Sequence, residues 1–111
     1  MMEGDVEVDS TNLAHLYSQR HWHDDAYIVA DDEALRRLAR AIKDALTGGV
    51  GACEVFAADG EGYEVRVVRL RDPGLWDLLR LPYSDDCATD TRKEAMGPRR
   101  LLVKLRGWRE L

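Results

Sequence analysis

The sequence predicts an α+β fold: a mostly antiparallel sheet of four to six strands, with one long amphipathic helix packed on it and a short second helix. Three observations carry that expectation. Residues 32–47 repeat apolar side chains at helical spacing, residues 52–70 alternate in two arms around a glycine-bearing turn, and Asp72-Pro73 opens a second short helix. A chain of 111 residues and 12.6 kDa is the size of one domain, so residues 1–111 are read as a single unit.

The first segment, 1–11, alternates Val6 and Val8 with acids and reads as a frayed tail or a short edge strand. Asn12–Ser18 reads as a short strand, with Leu13, His15 and Tyr17 on one face and Ala14 and Leu16 on the other. Ala26–Ala30 is a second strand, because Tyr, Ile and Val suit a pleated surface. Asp31 is placed to cap a helix from Asp32 to Thr47, with Asp32 and Glu33 near the positive end of its dipole. Leu35, Leu38, Ala39, Ile42 and Leu46 form the stripe expected to face the sheet, and Gly48-Gly49 lets the chain leave the helix.

A hairpin follows, with arms Ala52–Ala58 and Tyr63–Leu70 joined by Asp59-Gly60-Glu61-Gly62. Pro73 to about Arg80 forms the short helix, stopped by Leu81-Pro82 because the residue before a proline avoids helical backbone. Residues 84–98 show no periodicity and read as a long connection that is either mobile or functional. Arg99–Arg106 is expected to finish the sheet, with Leu101, Val103 and Leu105 on one face.

Net charge is -5, which argues against a nucleic-acid backbone as partner, although the charge is uneven. The segment up to Glu33 carries acids almost alone, while Arg92, Lys93, Arg99, Arg100, Lys104, Arg106 and Arg109 gather near the other end. Ordinary surface charge explains both ends, and pairing between them within a protomer or across a homodimer is the alternative. No stretch is long and apolar enough to span a membrane. An acidic start without an apolar signal segment, together with only Cys53 and Cys87, suggests a cytoplasmic protein with reduced thiols.

Chemistry concentrates in Arg20-His21-Trp22-His23-Asp24-Asp25. If this stretch is extended, His21, His23 and Asp25 share a face and offer two imidazoles and a carboxylate to zinc or a similar divalent ion, with an open position for water. The same residues suit a small nucleotide-like ligand: Trp22 stacks, Arg20 pairs with an anion, and Asp24 and Asp25 accept hydrogen bonds, with Arg66 and Tyr83 as further contacts. The structural alternative needs no ligand, since a tryptophan anchor and polar neighbours are ordinary at the start of a strand. Cys87 sits beside Asp85 and Asp86, which disfavour a nucleophilic thiolate, and the glycine pairs lack phosphate-loop spacing.

No convergent catalytic set is readable. The expected function is therefore a non-enzymatic binding or interaction module without a cofactor, such as an inhibitor or immunity-type protein or a binder of small anionic ligands. In the first case Asp24, Asp25, Asp31, Asp32 and Glu33 would meet a basic protein. The alternative is a metal-dependent hydrolase using His21, His23 and Asp25.

Overall fold

A computed structural model describes residues 11–83 and 95–106. The elements run β1 (Ala14–Tyr17), β2 (Tyr27–Ala30), α1 (Asp32–Gly48), β3 (Val50–Phe56), β4 (Gly62–Val68), α2 (Pro73–Leu78) and α3 (Pro98–Arg106). They fall into two compact units, one made of the chain up to Tyr17 with Ala26–Arg69, the other of Ser18–Asp25 with the chain from Leu70 onward. Most of the expected tail and connection, and Cys87, lie outside the described residues.

In the first unit β1 pairs antiparallel with β2, and β3 with β4. The fold class is α+β as expected, but the four described strands form two two-stranded sheets instead of one sheet of four to six. Among the described residues the two pairs meet at one parallel bridge, Leu13 with Phe56, where the Asn12 carbonyl accepts the Phe56 N–H at 3.0 Å. Asn12 has a φ of 70°, a left-handed conformation that Asn tolerates better than most residues, and it turns the chain as it enters β1. Its buried side-chain amide donates to the Glu54 carbonyl at 3.0 Å.

Asp31 joins strand and helix. Its carboxylate accepts the Ala34 N–H at 2.9 Å as the helix cap, and the Asn12 and Leu13 N–H groups at 3.0 Å each. Burial pushes this carboxyl's pKa up. The three backbone donors and the Arg36 charge outweigh burial and hold it below its ordinary 3.8. At the far end of α1, Gly49 has a φ of 100° and returns its N–H to the Ala45 carbonyl, which ends the helix where the glycine pair predicts.

The face that α1 buries is not the one the large side chains suggest. Ala34, Leu38, Ala41 and Ala45 are buried, while Leu35, Ile42 and Leu46 stand 48%, 48% and 65% exposed. The reason lies in β3, where a Cβ on Gly51 would stand only 1.9 Å from the Ala41 carbonyl oxygen. Helix backbone and strand backbone touch there, so small side chains face β3 at Ala41, while Leu38 is buried on the same face, as the stripe predicts. Val55 and Ala14 complete the centre of this core, with Cys53, Tyr63 and Val65 packed against it. Burial raises the Cys53 thiol pKa, Arg37 opposing and Glu64 adding, which suits the small apolar role expected for this residue.

In the second unit Asp72 caps α2 by accepting the Gly74 N–H at 2.8 Å, and Pro73 takes the first helical position as expected. Trp76 donates its indole N–H to the Leu70 carbonyl at 3.0 Å. The segment expected to be the last strand is helical instead: α3 starts at Pro98 and buries both Leu101 and Leu102. Adjacent buried residues are incompatible with strand alternation and natural on a helix. Pro98 favours that outcome, since its fixed φ suits the first turn of a helix and its missing N–H costs nothing there.

Candidate functional site

The stretch from Arg20 to Asp25 is a turn, not a strand. The Asp24 N–H donates to the His21 carbonyl and the His21 N–H to the Asp24 carboxylate, both at 3.2 Å, so the ends of the turn close on each other. His23 at its tip has a φ of 78°. Side chains on such a backbone do not alternate, and the premise that put His21, His23 and Asp25 on one face is replaced. Among the described residues, no group of three or more His, Cys, Asp or Glu side chains is arranged to hold a metal ion. The turn instead brings the exposed Trp22 ring against His23, with centroids 4.5 Å apart. Asp24 is engaged with backbone, and Asp25 is exposed.

The other expected ligand contacts are divided between the two units, Tyr83 in the same one as the turn and Arg66 in the other. Arg66 lies on β4 in the first unit, where its guanidinium pairs with Glu64 at 2.9 Å. Tyr83 belongs to the second unit and is half-buried.

An open depression of about 610 Å³ lies at the start of α1, lined among others by Asn12, Asp31, Asp32, Glu33, Arg36 and Arg37. A helix start ordinarily attracts anions. Here Asp31 already fills the cap, Asp32 and Glu33 add negative charge, and Arg37 is paired with Glu33 at 2.9 Å. The depression therefore opposes an anionic ligand.

A further departure from an ordinary surface is β2. Tyr27, Ile28 and Val29 are 58%, 59% and 60% exposed, so both faces of this apolar strand are open. Its register sets Ala30, Val29, Ile28 and Tyr27 opposite Ala14, His15, Leu16 and Tyr17, and continues to Asp31, whose N–H donates to the Leu13 carbonyl at 3.0 Å. Backbone groups along an antiparallel strand point alternately to one neighbour and the other. That bond therefore turns the N–H and C=O of Tyr27 and Val29 toward β1, and those of Ile28 and Ala30 outward. The same parity holds across β1, where the outward carbonyls of Asn12 and Ala14 are taken by the Phe56 N–H and the Tyr63 hydroxyl. β1 is thus used on both edges, and β2 pairs only with β1 among the described residues.

No protein-family model, curated protein or solved structure matches the chain.

Two structural roles escape a reading of the sequence. His15 links β1 to the hairpin: its Nε2 accepts the Ala58 N–H at 2.9 Å, which leaves the proton on Nδ1 to be donated to the Tyr17 hydroxyl oxygen at 2.8 Å. Arg69 closes the end of α1 by donating to the Leu46 carbonyl at 2.7 Å, where a cation also suits the negative end of the dipole. Neither residue carries a local sequence signal, because each acts on backbone far away in the chain.

Proposed function

We propose that the protein is a non-enzymatic interaction module of the inhibitor or immunity type, which acts in the cytoplasm by docking another protein on the first unit. The observation that carries this reading is β2, where three large apolar side chains stand about three-fifths exposed in a row. Isolated exposed apolar residues are ordinary, but a run of them on one short strand marks a contact surface. A basic partner fits best, because β2 is bracketed in the sequence by Asp24-Asp25 and Asp31-Asp32 and charge complementarity speeds encounter. The depression beside α1, where Asp31, Asp32 and Glu33 outnumber Arg36 and Arg37, gives a small anionic ligand little support. The hydrolase alternative has less support, because it assumed an extended backbone from His21 to Asp25 and that stretch closes through Asp24.

The test is a photocrosslinker in place of Val29, read in the cells that make the protein. A discrete adduct with one basic protein is expected. A surface that crosslinks to nothing, in a protein that hydrolyses an ester or phosphoester only when a divalent metal is supplied, would overturn the reading.

A further inference from the structure

The structure assigns β2 as a strand-addition site: we infer that the partner contributes an extended segment, flanked by lysine or arginine, that pairs with the outer edge of β2 through main-chain hydrogen bonds. The inference rests on the interaction reading above and names the chemistry of the partner. Three observations carry it.

First, the edge is unpaired among the described residues. The N–H and C=O of Ile28 point away from β1, and no hydrogen bond among the described residues uses them. An edge of this kind recruits an added strand, whose main chain supplies affinity while alternate side chains supply specificity.

Second, β2 lacks the guards that the other outer strand carries. β4 displays Glu64 and Arg66, paired at 2.9 Å on its exposed face, and its opposite face is half-buried through Tyr63, Val65 and Val67. Charged side chains on an outer strand discourage added pairing. β2 has no charge between Tyr27 and Ala30 and is open on both faces.

Third, charge selects the occupant. If a second copy paired antiparallel about Ile28, Asp25 would oppose Asp31 of that copy, and like charges directly opposite each other are destabilising. The same brackets favour a segment with cations at both ends. Tyr27, Ile28 and Val29 ask for apolar or β-branched residues between those cations.

The experiment uses the full chain and three blocked peptides: alternating Thr and Val flanked by two lysines on each side, the same peptide flanked by glutamates, and the lysine peptide with alternate amides N-methylated. Calorimetry should show the lysine peptide binding at least tenfold more tightly than either of the others. Ile28→Pro removes only an outward N–H, which an outer strand tolerates, and should weaken binding at least tenfold without changing the circular dichroism spectrum. On binding, amide exchange should slow at Ile28 and stay unchanged at Val29.

Equal binding by the N-methylated peptide, or by Ile28→Pro, overturns strand addition. A homodimer that Ile28→Pro dissociates overturns it in favour of a second copy. If none of the peptides binds while the Val29 photocrosslinker still yields a protein adduct, strand addition fails and the interaction reading stands. Loss of both sinks both.

Discussion

Gly51 sits so close under Ala41 that a Cβ added to it would lie 1.9 Å from the Ala41 carbonyl oxygen. The atom it would strike is backbone in the middle of α1, so the contact cannot be relieved by rotating a side chain. Gly51→Ala should therefore destabilise the protein by more than about 3 kcal/mol, the upper range for overpacking. Gly48, in the last turn of the same helix, has nothing within 4 Å of its would-be Cβ, and Gly48→Ala should stabilise by about 0.5–1 kcal/mol. Urea unfolding of the two variants checks both signs. Equal effects would show that the helix does not ride on β3 as described.

Asp31 gives a second prediction, because one carboxylate serves three backbone donors from two elements. Asp31→Ala should cost about 2–3 kcal/mol, more than an ordinary cap, because the Asn12 and Leu13 N–H groups lose their acceptor as well. The pH dependence follows from the depressed pKa. With the folded-state value below 3.8, the unfolded chain takes up the proton first as pH falls, so the contribution is fully present above that value and lost as pH drops through the folded pKa. Below pH 4 the wild type should lose stability more steeply than Asp31→Asn, in urea titrations at stepped pH.

The His15 link is read most directly by amide exchange. His15→Phe keeps an aromatic ring in β1 but removes the acceptor for the Ala58 N–H. Exchange at Ala58 should quicken, with a stability loss of about 0.5–1.5 kcal/mol for the missing hydrogen bond. In the wild type, nitrogen NMR should find the imidazole proton on Nδ1. A proton on Nε2 would contradict the link.

The two stripes of α1 make opposite predictions for conventional core mutagenesis. Ile42→Gln, at a large apolar residue, should change stability by no more than about 0.5 kcal/mol, as exposed positions do. Ala41→Leu, which adds apolar volume to a buried position, should destabilise by about 1–3 kcal/mol. Thermal unfolding of the pair distinguishes this packing from the reverse one.

Local signals in the sequence carried well into the structure, and long-range ones did not. Asp31 as cap, Gly49 as helix exit, the β3–β4 hairpin and Asp72-Pro73 were legible because each depends on neighbours a few residues away. The buried face of α1 was misread because periodicity weighs side chains by size, whereas the close approach of Gly51 makes small size the criterion. Leu101 to Leu105 alternates well enough to resemble a strand, and only Pro98 pointed to α3. At Arg20–Asp25 an extended backbone was assumed, and the chain closes through Asp24 into a turn that the composition did not announce. For the candidate surface, the residues of β2 were readable as a strand, but its open edge was not. An edge is defined by which strand fails to arrive, and no local pattern records that.

The mismatch between the stripes of α1 also bears on how the chain finds its fold. A helix turned by one residue's rotation would offer Leu35, Ile42 and Leu46 to the sheet, a decoy that early collapse rewards because it hides more hydrocarbon. The glycine under Ala41 offsets that reward, since it lets the small residues of the other stripe reach backbone contact with β3, which a bulkier stripe cannot do. One missing methyl group in a strand thus acts as a proofreader of helix orientation. It also leaves the greasier side of α1 in water after folding is complete.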